Sequence, residues 1–168
     1  MIQFRPVMIL VHPPSNDWLS VCCYHIGKWA GLELSGAAHC SLVVGDTVYE
    51  LILSGIISYK YSFYTREVLD STVLFLTERE YELLLQNVVV ATNCDVRIRF
   101  VDLIKMALGR KPSGLICTSF IEVLLNEKCI SHPLPFDLLK RYRLVGVLRI
   151  CRILSVMHHA PSAEAGII

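Results

Sequence analysis

Two polar residues interrupt the apolar stretch SGAAHCSLVVGDTVYELIL at 35–53: His39 opens its first arm and Glu50 sits in its second. A carboxylate beside an imidazole fixes the imidazole tautomer and stabilises the imidazolium. Joined to a nucleophile, the pair completes a nucleophile, base and orienter chain. Gly45-Asp46 reads as a two-residue hairpin turn. Val44 then faces Thr47, Ser41 faces Glu50, and His39 faces Ile52. His39, Ser41, Val43, Val48, Glu50 and Ile52 share one side of the sheet, with His39 and Glu50 as diagonal neighbours roughly 7–8 Å apart at Cα. Cys40 points to the other side and does not pair with His39. A three-residue loop would instead move Glu50 to the side of Cys40. The ordinary reading is a satisfied histidine at a sheet edge and a solvent-facing glutamate.

Cys117 has the best setting for the nucleophile. It follows a Pro-Ser-Gly break in KPSGLICTSFIEVLL, in the first turn of an apolar helix. A helix N-terminus favours the thiolate and lowers a cysteine pKa. Cys117, Phe120, Ile121, Leu124 and Leu125 form one stripe, so the thiol faces the packing side. A helix packed on the hairpin side that holds His39 brings sulfur and imidazole together. The ordinary reading is a core cysteine. Cys22, Cys23, Cys94, Cys129 and Cys151 have weaker settings. His25 interrupts an amphipathic helix, His132 sits in a Pro-bounded loop, and His158-His159 fall in the tail.

These residues need a frame. Residues 3–12 read as a strand, and PPSND as the turn after it. Asp17 is placed to cap a helix over 18–30, with the stripe Trp18, Val21, Cys22, Ile26 and Trp29. IISYKYSFYT reads as a strand or irregular arm, and STVLFL as a strand. Thr77 and Glu80 have the capping-box spacing ahead of a helix that buries Tyr81, Leu84, Leu85 and Val88. NCDVRIRF alternates as a short strand, and VDLIKMALGR is helical. FDLLKRY is a short helix, and RLVGVLRICRIL closes as a strand. Strands and helices mix without regular βαβ alternation, so the class is α+β. One domain over 1–155 with a disordered tail at 156–168 is expected.

Of the 168 residues, 54% are hydrophobic and 18% charged, which excludes disorder for most of the chain. Net charge is +1, so no global field attracts nucleic acid. KRYR at 140–143 is a single basic patch, ordinary for a solvated helix end. Seven cysteines without a CxxC pair make neither a disulfide framework nor a zinc site. Mean hydropathy of +0.51 points to a well-buried sheet, an oligomer surface or peripheral contact with lipid. No apolar run is long enough for a transmembrane helix. PVMILV is too short for a signal sequence and leads into HPPSND. A cytoplasmic or virion-associated location is expected.

The order of histidine, acid, then cysteine at a helix start resembles the circularly permuted branch of the NlpC-type papain-like superfamily. That branch includes lecithin–retinol acyltransferase-like enzymes. DWLSVCCYHIGKWAGLELSGAAHCSLVVGDTVYEL is similar to the family's opening helix, histidine strand, GD turn and third-residue strand. GLICTSFIEVLL is similar to its cysteine segment, and HPLPFDLLKRYRLVGVL to its Pro-containing segment and closing strand. The likeness spans roughly 8–148 and lies in the order and spacing of short motifs. It implies a central antiparallel sheet packed against helices, with Cys117 as nucleophile, His39 as base and Glu50 as orienter. The third position is often His, Asn or Gln in the wider superfamily, so Glu50 departs from its commonest pattern.

The expected activity is a thiol hydrolase that cleaves an amide or ester bond through an acyl-enzyme, without metal or cofactor. Cell-wall peptides and lipid-linked acyl groups are both open as substrates. The alternative is an inactive fold relic, acting as a structural, virion or lipid-facing interaction protein.

Overall fold

A computed structural model describes residues 3–14, 18–29, 31, 36–127 and 130–158, with the backbone alone for 18–20, 23 and 147–158. Its centre is a five-stranded antiparallel sheet. The strands are β1 (Phe4–His12), β2 (His39–Val44), β3 (Thr47–Ile52), β4 (Gly55–Lys60) and β5 (Asp70–Thr77), in the order β4-β3-β2-β1-β5. The helices are α1 (Trp18–Trp29), α2 (Glu78–Asn93), α3 (Phe100–Ala107), α4 (Cys117–Leu124) and α5 (Pro135–His158). The architecture is α+β.

The two faces of the sheet follow from strand alternation. Val7, Ile9 and Val11 of β1 join Cys40, Leu42 and Val44 of β2 in the main core, which α2, α4 and α5 cover with Leu84, Phe120, Ile121 and Leu138. The opposite face holds a smaller cluster of Leu10, Val43 and Val48, with Tyr59 and Tyr64 packed on it. The Gly45-Asp46 turn has the expected length and pairs Val44 with Thr47. Gly45 takes φ +62°, and Asp46 stays at negative φ, the pattern of a type II′ turn with Gly first.

Thr77 and Glu80 form the expected capping box. Glu80 N–H donates to Thr77 Oγ1 (3.3 Å), and Thr77 N–H donates to Glu80 Oε2 (2.8 Å). Thr77→Ala should lower stability by about 1 kcal/mol, read as a shift in urea midpoint without a change in slope.

Several expectations are corrected. Residues 143–154 do not close the sheet: they continue α5, whose helical spacing of Leu138, Leu139 and Tyr142 runs on through the β-branched residues. Alternation alone favoured a strand there, and length decides for the helix. The expected tail therefore loses 156–158 to α5, while 159–168 lie outside the described residues. NCDVRIRF forms no strand; Ile98 N–H meets Ile52 O (3.3 Å), one bond at the end of β3. On α2, Leu85 is exposed and Ala91 is buried in its place. The α1 stripe is not a core stripe: Val21, Cys22, Ile26 and Trp29 are all exposed. Asp17 and most of the PPSND turn fall outside the described residues.

Candidate functional site

The site grows from the first residue of β2 and the first residue of α4. His39 begins β2 opposite His12. Glu50 lies on β3, on the same face, opposite Ile57 of β4. His39 Nε2 lies 3.2 Å from Glu50 Oε2. The diagonal contact read from the hairpin is present.

Glu50 is not solvent-facing. It is fully buried, and two further donors hold it: Arg66 Nη1 at 2.6 Å from Oε2, and the Tyr59 hydroxyl on Oε1. Burial works against its charge. The bonds from His39 and Tyr59 and the charges of His39 and Arg66 outweigh it and lower the carboxyl pKa to about 2. Glu50 is a permanent carboxylate at neutral pH.

Cys117 opens α4 and is 5% exposed. Ser119 caps the helix by reaching back: its hydroxyl accepts from Ile116 N–H (2.8 Å) and lies 3.1 Å from Ile116 O. The N–H groups of Cys117, Thr118 and Ser119 have no carbonyl one turn earlier inside the helix, so they surround the thiol with donors. Thr118 Oγ1, next in the chain, is buried and has no hydrogen-bond partner among the described residues.

The thiol meets both residues at the start of β2. There the Cys40 thiol, the Cys40 backbone N–H and the His39 imidazole each act on it as hydrogen-bond donors. The Cys40 bond acts most strongly. Burial opposes it, the imidazolium adds to it, and the Cys117 pKa falls well below the ordinary thiol value. Burial and the neighbouring thiolate push Cys40 well above that value, so it stays protonated as a donor. Burial lowers the pKa of His39, but its bonds to Cys117 and Glu50 prevail and raise it to about 9. With Nε2 on Glu50, Nδ1 is the nitrogen left for the sulfur.

The meeting does not need the packing that the sequence pattern set as its condition. α4 covers the Cys40 face of the sheet, not the His39 face. The contact forms because His39 and Cys40 lie at the end of β2, beyond the stretch Leu42–Val44 that pairs with β3. At that end, an imidazole from one face and a thiol from the other reach the same point. Cys40, set aside as facing away from His39, instead touches the nucleophile.

Sequence reasoning missed three neighbours. Tyr59 faces Val48 and is diagonal to Glu50, but its register depends on a Leu53-Ser54 turn that carries no standard turn signal. Arg66 comes from the irregular segment after β4. His12 is fully buried on β1, with Nδ1 2.9 Å from Glu67 O and Nε2 2.8 Å from Ser41 Oγ. Burial outweighs the Glu67 bond and lowers its pKa to about 4. It is neutral beside His39, at 5.9 Å between ring centroids, and adds no competing charge.

Among the described residues no group of His, Cys, Asp and Glu is arranged to hold a metal ion, and no helix is long and apolar enough to cross a membrane. Comparison with protein-family models, with curated proteins and with solved structures gave no match.

Proposed function

We propose that the chain is a thiol hydrolase or acyltransferase of the circularly permuted NlpC-type papain-like kind, acting through Cys117, His39 and Glu50. The observation that carries the reading is the continuous chain from a helix-start thiol through one imidazole to a buried, triply held carboxylate. A structural histidine needs no such carboxylate, and a structural cysteine needs no cation.

His39 holds the thiol proton and leaves a thiolate at Cys117. The sulfur attacks a carbonyl carbon, and N–H groups at the start of α4 receive the oxyanion. The imidazolium gives its proton to the departing amine or alcohol. Water or an acceptor hydroxyl or amine, deprotonated by His39, then attacks the thioester and frees Cys117. Glu50 keeps the imidazole oriented and charged without taking the proton. Tyr59 and Arg66 keep Glu50 ionised.

The competing reading, an inactive relic serving as an interaction protein, draws on the low exposure of Cys117. The two separate on one experiment. Incubation with p-nitrophenyl acyl esters is expected to give a burst of p-nitrophenol and an acyl mass adduct on the Cys117 peptide, both absent in Cys117→Ala. A folded protein that gives neither, at any chain length of ester, speaks for the relic.

A further inference from the structure

Helix α3 presents large apolar side chains to solvent. At helical spacing, Phe100, Ile104, Leu108 and Val101 share one side. Phe100, Val101 and Leu108 are 51%, 49% and 44% exposed. Of the two charged residues of the helix, Asp102 faces the protein interior and is fully buried, and Lys105 is half-buried beside it. Asp102 accepts from Arg99 Nε (2.7 Å) and from Ser113 N–H (2.7 Å). An ordinary surface helix carries the reverse arrangement.

Charge frames this apolar side. Between 95 and 111 the chain has five basic residues (Arg97, Arg99, Lys105, Arg110 and Lys111) and two acidic ones (Asp95 and Asp102), a net of +3 in a chain whose total is +1. Arg110 and Lys111 are exposed just beyond the end of α3. α1 packs against α3, and it ends on Trp29, 86% exposed and followed within two residues by a turn at Gly31. An exposed apolar stripe with a basic rim, beside a helix that ends on an exposed tryptophan, fits a lipid–water interface that carries negative charge.

We propose that α3 docks the protein on anionic lipid surfaces, with Phe100, Val101 and Leu108 entering the interface and Arg110 and Lys111 meeting the headgroups. The docking helix is tied to the nucleophile. Asp102 anchors Ser113, and the chain reaches Cys117 four residues later. If the hydrolase reading holds, the surface also names the substrate class: an acyl or lipid-linked carbonyl presented at the bilayer rather than a soluble wall peptide.

The test is co-sedimentation with vesicles of phosphatidylcholine alone and of phosphatidylcholine with about 30 mol % phosphatidylserine. The wild-type chain is expected to bind the anionic vesicles and to be released by salt. Val101→Asp with Leu108→Asp should weaken that binding more than about tenfold, as should Arg110→Gln with Lys111→Gln. Circular dichroism establishes that each variant is folded. Equal binding by wild type and variants overturns the proposal. So does a concentration-dependent dimer that Val101→Asp and Leu108→Asp dissociate, because the stripe then covers a second copy of the chain. Alkylation of Cys117 in the same variants separates the two readings: an unchanged thiol with lost vesicle binding is expected. An activated thiol in a wild type that binds no vesicle leaves the hydrolase and removes the docking surface.

Discussion

Replacing His39 with alanine is expected to cut acyl transfer by about a hundred- to ten-thousandfold, the range of a lost general acid–base. The effect should fall on the acylation rate rather than on substrate binding, since the imidazole acts on the proton and the leaving group. The fold should survive. Glu50 keeps the Arg66 guanidinium at 2.6 Å and the Tyr59 hydroxyl, so no carboxylate is left buried without a partner. Burst kinetics with an activated ester, beside a thermal melt, separates lost chemistry from lost structure. Cys40→Ser supplies a control at the same sulfur: it retains a donor and the backbone N–H, and should cost far less than His39→Ala.

Glu50→Gln acts on stability as well as chemistry. It removes the charge that faces Arg66 and His39 in a buried setting, where breaking one side of an ion pair costs about 3 kcal/mol. The pH dependence carries the sign. The folded carboxyl titrates at about 2, below the unfolded value of about 4.3. Its contribution is therefore complete above the unfolded pKa and is lost as pH falls toward the folded one. Wild type and Glu50→Gln should differ in denaturant midpoint at neutral pH and converge as pH falls through about 4 to 2.

The thiol and imidazole titrate in opposite senses. His39, raised to about 9, contributes stability that is complete below about 6.5 and declines as pH rises. Cys117, lowered, contributes stability that is complete above about 8.5 and declines as pH falls. Between those values the folded pair differs from the unfolded one only in where a single proton sits. The two slopes cancel there, so this pair makes no pH-dependent contribution across neutral pH. In Cys117→Ala the cancellation disappears. The thiolate also supplies part of what holds the His39 pKa up against burial, so the Glu50 bond alone then sets the imidazole's share.

The candidate triad was legible because each member carries a local physical signal. Gly45-Asp46 sets a two-residue register, and that register alone puts His39 and Glu50 on one face. The Pro-Ser-Gly break puts Cys117 at a helix start. What remained hidden depends on packing at long range. The face that α4 covers is not written in its own stripe, so the sequence left it as a condition. Tyr59 and Arg66 follow a turn, Leu53-Ser54, with no recognisable chemistry. His12 belongs to a strand whose pairing with His39 depends on the whole sheet order. The strand expected over 143–154 failed because branched apolar residues also continue a helix already begun upstream. On α1 the apolar spacing gives no burial: Val21, Cys22, Ile26 and Trp29 are exposed, because spacing alone does not say whether a partner covers the stripe.

The most direct test of an activated Cys117 is the pH dependence of its alkylation, followed on the Cys117 peptide by mass spectrometry in wild type and His39→Ala. Site resolution is needed because Cys22 and Cys94 are exposed. The account predicts a wild-type midpoint well below the ordinary thiol value of about 8.5. In His39→Ala that midpoint should move up toward the ordinary value. A midpoint at or above about 8.5 in the wild type, unmoved by loss of His39, would contradict the account and leave Cys117 a core cysteine.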